Sequence, residues 1–572
     1  MHQNHITQHD DSRHIARAIL YIFLLAAPCC LKLDNVGQFH FAKMWFPTGT
    51  LSALLPATIL WLAAYRYKWA RIPIAIFLFA LFVLDFWLFF QIGTRMSDRI
   101  IYFALQTNGT EASEFLSTYL PSIPSIKVGV IALLTIALYG ALLKYLPSVK
   151  FKLSSRKPLL WATIAANAVS ALIIYLGTFN TIGYNAMARS TIQVLITAIH
   201  DAKSYSADIS RLEKALDRTD STLDKSIYSD ISQAPDIVFI IGESYNPHHC
   251  PLYGYPLMTT PGIVAAYRHG DIVFFSDVAT PSASTGIMME VLYSPAEAHA
   301  TDDRWDCPII PALFKHAGYA VALHDNQITR LAGDSKWDIG NSQFLNSGKV
   351  ESLCFNYRNT ELHPDDLTFC TRELPHDRNI KEPLLSIYHL MGQHSPAAAR
   401  HPQSLCKFTA ADYSWRKNIS PSQADEIAHY DNATFHNDSV VCTIFNSLRG
   451  RDAIAVYLSD HGEEIHDYRN QYGRTWGPIT KEIAANIYSV PLIIFTTPEF
   501  RERHPAMYQA ITDALSRKVY TGDIGQMMLY LGGIKSRWTD PARNPLSPAY
   551  DSTHRRILNS QVDYDDLMHS AN

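Results

Sequence analysis

The chain has 572 residues, 48% of them hydrophobic, and a formal charge of only −4. That length leaves room for more than one domain, and so slight a charge excludes an electrostatic case for nucleic-acid binding. The averages hide a division, since almost all long apolar runs precede residue 180 and the remainder has the mixed composition of a water-soluble domain.

Five runs, near 15–33, 46–64, 72–93, 127–146 and 158–178, are long enough to cross a bilayer, which takes about 20 mostly apolar residues per helix. Between them Arg13, Arg17, Arg66, Lys68, Arg71, Lys144, Lys150, Lys152, Arg156 and Lys157 fall on one side, against Lys32, Lys43, Arg95, Arg99 and Lys127 on the other. The richer side is cytoplasmic by the positive-inside rule, so everything after about residue 180 lies outside. The first run lacks a small-x-small cleavage site and is followed by four more, so it reads as a retained span. Asp85, the one acid deep in these runs, reads as an inter-helix hydrogen-bonding group rather than a transport residue.

The loop near 94–125, with acids following a helix start in Leu105–Leu116, reads as an interfacial helix. From 183 to 232 the chain is polar and helix-prone, with apolar residues at Ile192, Leu195, Ile199, Leu212 and Leu216. It reads as a bridge along the membrane rather than as core. The expected organisation is a five-helix transmembrane domain over 1–182, bridging helices over 183–232 and an outside α/β catalytic domain over 233–572.

In that last part, strand-like runs at 235–244, 271–275, 319–323, 384–390, 453–459 and 490–495 alternate with helical segments such as 309–317 and 427–448. Such alternation predicts a mostly parallel sheet with helices on both faces. Two strands end alike: the run from Pro235 breaks into Gly242 and Glu243, and the run from Ala453 breaks into Asp460 and His461. Ligand crevices of α/β sheets open at the carboxyl ends of strands. A Glu, an Asp and a His delivered there make a nitrogen and oxygen donor set of the kind zinc accepts.

Six of the eight cysteines (Cys250, Cys307, Cys354, Cys370, Cys406, Cys442) lie in the outside part, where disulfides are permitted. Cys354 and Cys370 flank a loop that one bridge could close, and Cys442, in an apolar helical run, reads as a buried free thiol. The segment Asp277–Gly286 is a hydroxyl-rich turn before the helical Ile287–Leu292. A threonine there is either a nucleophile activated beside a metal or a helix cap.

Several motifs together resemble the phosphoethanolamine transferases of Gram-negative envelopes. They are Gly-Glu-Ser at 242–244, Leu-Tyr-Gly-Tyr-Pro at 252–256, Thr-Thr-Pro at 259–261, the hydroxyl turn at 280–285, Asp-Asn-Gln at 325–327, His-Leu-Met-Gly-Gln-His at 389–394 and Ser-Asp-His-Gly-Glu-Glu at 459–464. The resemblance spans the whole chain. It implies an alkaline-phosphatase/sulfatase-like fold, one or two zinc ions held by Glu243, Asp460, His461 and the nucleophile, and a threonine that carries the phosphoethanolamine group covalently. Counting from Asp277 lands on Thr285 as that nucleophile, with Thr280 the runner-up. His394, Gln327, Thr107 and Glu111 are implied in binding the donor, phosphatidylethanolamine. The acceptor implied is lipopolysaccharide or another envelope glycan, reached from a multi-pass protein of the inner membrane with a periplasmic catalytic domain. This chain departs from the family at Phe103 and Asn246, has no Cys beside Thr285, and has no His within 470–485, for which His466 is the nearest substitute.

Two rivals share the expected fold. A sulfatase requires a Cys or Ser followed by its Pro/Ala-x-Arg signature, and around Thr285 there is neither Cys nor Arg. Phosphoglycerol transferases share five spans and a threonine nucleophile and differ around the zinc Glu.

Overall fold

The structure is a computed structural model that describes residues 2–33, 39–41, 45–92, 113, 120, 123–145, 157–179, 190–218, 231–299, 304–327, 343–468, 472–474 and 479–570. The described residues fall into two compact units that divide between Ser204 and Tyr205. The interfacial-helix reading near 94–125, with Thr107 and Glu111, lies almost entirely outside the described residues.

In the first unit each apolar run is helical over most of its length: α1 (His2–Ala26), α2 (Trp45–Arg66), α3 (Arg71–Ile92), α4 (Ile123–Tyr145) and α5 (Lys157–Phe179). Among the described residues, the segments Lys68–Gln91 and Ser125–Tyr145 are long and apolar enough to cross a membrane, while His14–Cys29 and Trp161–Ile174 are shorter apolar stretches. Polar groups inside these helices pair across elements. Thr191 Oγ1, at the start of α6 (Thr191–Asp217), donates to the buried Asp85 Oδ2 at 2.7 Å, and Trp87 Nε1 of α3 donates to Ser125 Oγ of α4 at 2.8 Å. Hydrogen bonds of this kind keep buried polar side chains satisfied between apolar helices.

The second unit is built on seven strands, β1 (Asp236–Gly242), β2 (Ile272–Phe275), β3 (Ala320–Asp325), β4 (Tyr357–Arg358), β5 (Leu384–His389), β6 (Ala453–Ser459) and β7 (Leu492–Thr496). Their order across the sheet is β2-β7-β6-β1-β5-β3-β4. All pair in parallel except β7, which runs antiparallel to both of its neighbours. The central strands are apolar at nearly every position because both faces are covered. Ile237, Phe239 and Ile241 face one core with α8 (Thr285–Leu292) and α9 (Ile310–Ala317), and Val238 and Ile240 face the other with α7 (Pro261–Arg268), α10 (Asp366–Arg378) and α11 (Pro421–Ser447). Burying each such side chain is worth roughly 1.5–3 kcal/mol. The register Gly242↔Ser459 sets the last residues of β1 and β6 side by side, and Ile241↔His389 and Asp325↔His389 bring β5 and β3 level with them.

The structure corrects three sequence expectations. Leu212 and Leu216 of α6 are buried in the core of the second unit, where Arg211 Nε also bonds Asp306 Oδ1 at 3.0 Å, so this end of the helix is core rather than bridge. Cys354 and Cys370 are free thiols in the cores on opposite faces of the sheet, so the sheet itself stands between them and no bridge closes that loop. Cys442 is a free thiol as expected, though only half-buried. The two-residue β4 carries too little apolar pattern to have been read from sequence.

Candidate functional site

Four parallel strands deliver their carboxyl ends to one place. Leaving β1, the chain turns sharply: Ser244 adopts a left-handed backbone (φ 57°), uncommon for a residue with a side chain. The turn is held from several sides. Ser244 N donates to Asp460 Oδ1 at 3.2 Å, Ser244 Oγ to Glu243 Oε1 at 2.7 Å, and Tyr430 Oη of α11 to Ser244 O at 2.6 Å. Strain of this kind persists where surrounding contacts over-determine it, and here it aims the Glu243 carboxylate across the strand ends.

From β6 come Asp460 and His461, both fully buried. Asp460 Oδ1 accepts from His461 N at 2.7 Å, which leaves Oδ2 buried without a hydrogen-bond partner. His461 Nδ1 faces Gly462 O at 2.8 Å. A carbonyl only accepts, so Nδ1 carries a proton and Nε2 is the ring's lone-pair nitrogen when the imidazole is neutral. That Nε2 lies 3.1 Å from Glu243 Oε1, 3.1 Å from Asp460 Oδ2 and 3.3 Å from Thr285 Oγ1.

Thr285 is the first residue of α8, and the cap belongs to its neighbour, since Ser284 Oγ accepts from Ile287 N at 3.5 Å. The Thr285 hydroxyl is therefore not used up in capping and donates to Glu243 Oε2 at 2.9 Å. Thr280 is turned the other way. Its hydroxyl donates to the main-chain oxygen of Asp460 at 2.8 Å, outside the cluster of side-chain donors.

Glu243, Asp460 and His461 form a group of ligand-type atoms all within 4.8 Å of one another. Zinc bonds of about 2.0–2.1 Å in a tetrahedron set neighbouring donor atoms roughly 3.3 Å apart, close to the spacings measured here. The residues thus fit a borderline cation: two carboxylates, one imidazole with its lone pair inward, and a hydroxyl, with Asp460 Oδ2 still lacking a partner. Electrostatics argue the same way. Burial and the neighbouring Glu243 charge push Asp460 up, while for Glu243 the opposing effect of burial is outweighed by His461, which holds that carboxyl well below its usual range. Two buried carboxylates this close call for a positive partner.

Around this cluster, Gln327 Nε2 bonds both Glu243 Oε2 (3.2 Å) and Leu390 O (2.8 Å), so it steadies the carboxylate. His394 sits beyond β5 with a solvent-sealed, unpartnered Nδ1, and burial pushes its imidazole down to about 4, leaving it neutral. Gln393 N donates to Glu243 O at 3.0 Å. Thr107 and Glu111 lie outside the described residues. His466 is held elsewhere, against Glu426 Oε2 at 2.6 Å and Gln423 Nε2 at 3.3 Å, so it does not take the place of the missing histidine. The residue that does reach the cluster is Arg474, whose Nη1 lies 2.7 Å from His461 Nε2 and donates to Ala283 O at 3.1 Å. One arginine in a polar, glycine-containing loop gave no sequence signal of this.

The sulfatase family model matches residues 235–521. Phosphoethanolamine transferase EptC of Escherichia coli O18:K1:H7 is 26% identical over 500 residues, covering 83% of this chain and 82% of that protein. Among solved structures, the integral membrane lipooligosaccharide phosphoethanolamine transferase A of Neisseria meningitidis superposes with a TM-score of 0.63 at 15% identity, covering 94% of this chain and 98% of that one. The C-terminal periplasmic domain of E. coli EptC, solved in complex with Zn, superposes with a TM-score of 0.52 at 23% identity over 61% of this chain and 96% of that domain. These likenesses show the fold: a helical unit followed by an α/β unit of the alkaline-phosphatase-like type.

Proposed function

The chain belongs to the sulfatase family, and on that premise we propose that it is an inner-membrane enzyme that moves phosphoethanolamine from phosphatidylethanolamine to lipopolysaccharide, at lipid A or a core sugar, or to another envelope glycan. The observation that carries this reading is the Thr285 hydroxyl. It is relieved of capping by Ser284, aimed by Glu243 and 3.3 Å from His461 Nε2. A hydrolase working through water has no need of a side-chain hydroxyl at that point. The relative of similar length is named a phosphoethanolamine transferase, which gives the group transferred.

In the first step Thr285 Oγ1 bonds to phosphorus as the phosphorus–oxygen bond to diacylglycerol breaks. The threonine proton leaves along its hydrogen bond to Glu243 Oε2 and ends on the diacylglycerol oxygen. In the second step an acceptor oxygen attacks the same phosphorus, its proton goes to the departing Thr285 oxygen, and the enzyme is regenerated. Glu243, Thr285, Asp460 and His461 would hold zinc, which would supply Lewis acidity to lower the hydroxyl's pKa and offset phosphate charge. Gln327 and Ser244 keep Glu243 in orientation. A neutral His394 offers the donor headgroup a hydrogen bond without competing for its charge. Thr107 and Glu111 complete the donor site in this proposal. All five apolar helices span the membrane, with 1–182 as the embedded domain, 183–232 the juxtamembrane stretch and 233–572 the periplasmic catalytic domain.

The test is a trapped intermediate. Full-length protein incubated with phosphatidylethanolamine and no acceptor should gain about 123 Da on the peptide holding Thr285, and Thr285→Ala should lose both the adduct and diacylglycerol release. Diacylglycerol released with no adduct on any threonine would move the protein to the phosphodiesterases.

A further inference from the structure

Arg474 enters the cluster from the loop that follows His461, and nothing in the mechanism above uses it. Its Nη1 donates to Ala283 O at 3.1 Å, two residues before Thr285, and the same nitrogen lies 2.7 Å from His461 Nε2. On the other side its Nε stands 3.6 Å from Oε2 of the buried Glu463. A guanidinium keeps its proton at any working pH and presents planar paired donors that match two oxygens of a phosphoryl group. His461 Nε2 has one lone pair, so a cation bound there and Arg474 Nη1 are alternative partners for it. With the cation on that nitrogen, the bond to Ala283 O still tethers the guanidinium beside the hydroxyl that meets phosphorus.

We infer that Arg474 is a further phosphoryl-binding residue of this site, gripping two non-bridging oxygens of the group that Thr285 attacks. It is the one arginine among the described residues with a hydrogen bond to any of the four donor side chains. Glu463 sets its approach: the carboxylate pairs with Nε while Nη1 bonds Ala283 O, so the guanidinium is held at two points two residues from Thr285. In-line transfer spreads charge over the non-bridging oxygens, and a fixed cation there stabilises that charge without having to reorganise.

The inference rests on the phosphotransfer reading only in requiring a phosphoryl group, so inorganic phosphate serves as the probe. Phosphate affinity is measured by calorimetry on zinc-loaded full-length protein, with zinc content read by atomic absorption and folding by thermal melting. Arg474→Gln should weaken phosphate about tenfold to a hundredfold, the range for a lost charge-assisted contact, while zinc stays at the wild-type ratio. Arg474→Lys keeps the charge without the fork and should recover only part of the loss. Wild-type phosphate affinity in Arg474→Gln with zinc retained overturns the inference. Should Arg474→Gln lose zinc or unfold, Arg474→Lys decides: weakened phosphate with zinc retained supports the role, and unchanged phosphate overturns it. If the trapped adduct never forms yet phosphate affinity depends on Arg474, the transfer reading falls and the assignment of Arg474 stands.

Discussion

A Cβ on Gly392 would stand 2.8 Å from both the amide nitrogen and the carbonyl oxygen of Glu243. Gly392 also has a left-handed backbone (φ 47°), so the loop leaving β5 passes over Glu243 only because no side chain intervenes. Gly392→Ala must therefore push Glu243 off its position. The expected result is a loss of more than about 1 kcal/mol of stability together with weakened zinc binding, read by melting and by zinc titration. Unchanged zinc affinity in a folded Gly392→Ala protein would detach Glu243 from the ion.

Glu243→Ala, Asp460→Ala and His461→Ala should each remove zinc from the purified protein and abolish transfer. Losing one donor of four should weaken the ion by more than the roughly tenfold to hundredfold known for losses outside the ligand shell. Zinc content is the direct measure, and full occupancy in all three variants would put the ion elsewhere.

Thr280 and Thr285 should separate cleanly. Thr280→Ala removes a hydroxyl that supports the backbone of Asp460, at a cost of about 1 kcal/mol, and should still form the covalent adduct at reduced yield. Mass spectrometry of the trapped peptide distinguishes the two, since an adduct on Thr280 would exchange their roles.

Away from the site, His324 is fully buried between Glu373 Oε2 at 2.9 Å and Asp377 Oδ1 at 2.8 Å. Burial alone would lower its pKa, but the two acids outweigh it and lift the ring from 6.5 to about 9. The folded state thus binds this proton more tightly than the unfolded chain does. Its contribution to stability is fully present below about pH 6.5 and is lost as pH rises through about 9. His324→Gln should flatten the fall in melting temperature over that window and, with the acids left buried, destabilise by about 3–5 kcal/mol near pH 6. A wild-type pH profile in the variant would contradict a charged His324.

The distribution of Lys and Arg around the apolar helices predicts that a reporter fused after residue 185 is active only outside the cytoplasm. Cytoplasmic activity there would turn the catalytic unit away from an envelope acceptor and remove the proposed function.

Strand identity was readable because β1, β5 and β6 are buried on both faces and so appear as unbroken apolar runs that end at Gly242, His389 and Ser459. For the same reason the residues just past those ends, Glu243, Asp460 and His461, are legible in the sequence as neighbours. Strand direction was not readable. A fully buried strand has the same apolar run in either sense, so the antiparallel β7 looks like the others. Nor was the partition of Cys354 and Cys370 to opposite cores, which depends on how the chain crosses the sheet rather than on their spacing. Nor was it readable which hydroxyl of the turn is left out of capping, since Ser284 supplies the cap and a turn holding Ser282, Ser284 and Thr285 does not announce which of them takes it.

The pairing of β1 with β6 has a consequence in time. The bond from Ser244 N to Asp460 Oδ1 joins residues 216 positions apart, and every strand of the sheet except β7 is synthesised before that contact can close. A ribosome releasing this chain from its N-terminus therefore delivers Glu243 long before Asp460 and His461 exist to face it. That contact waits on the synthesis of β6, so it closes late in assembly. Capture of the proposed ion is consequently a completion event: a truncated or stalled chain that stops short of residue 461 can bury much of its sheet and still present Glu243 without Asp460 or His461.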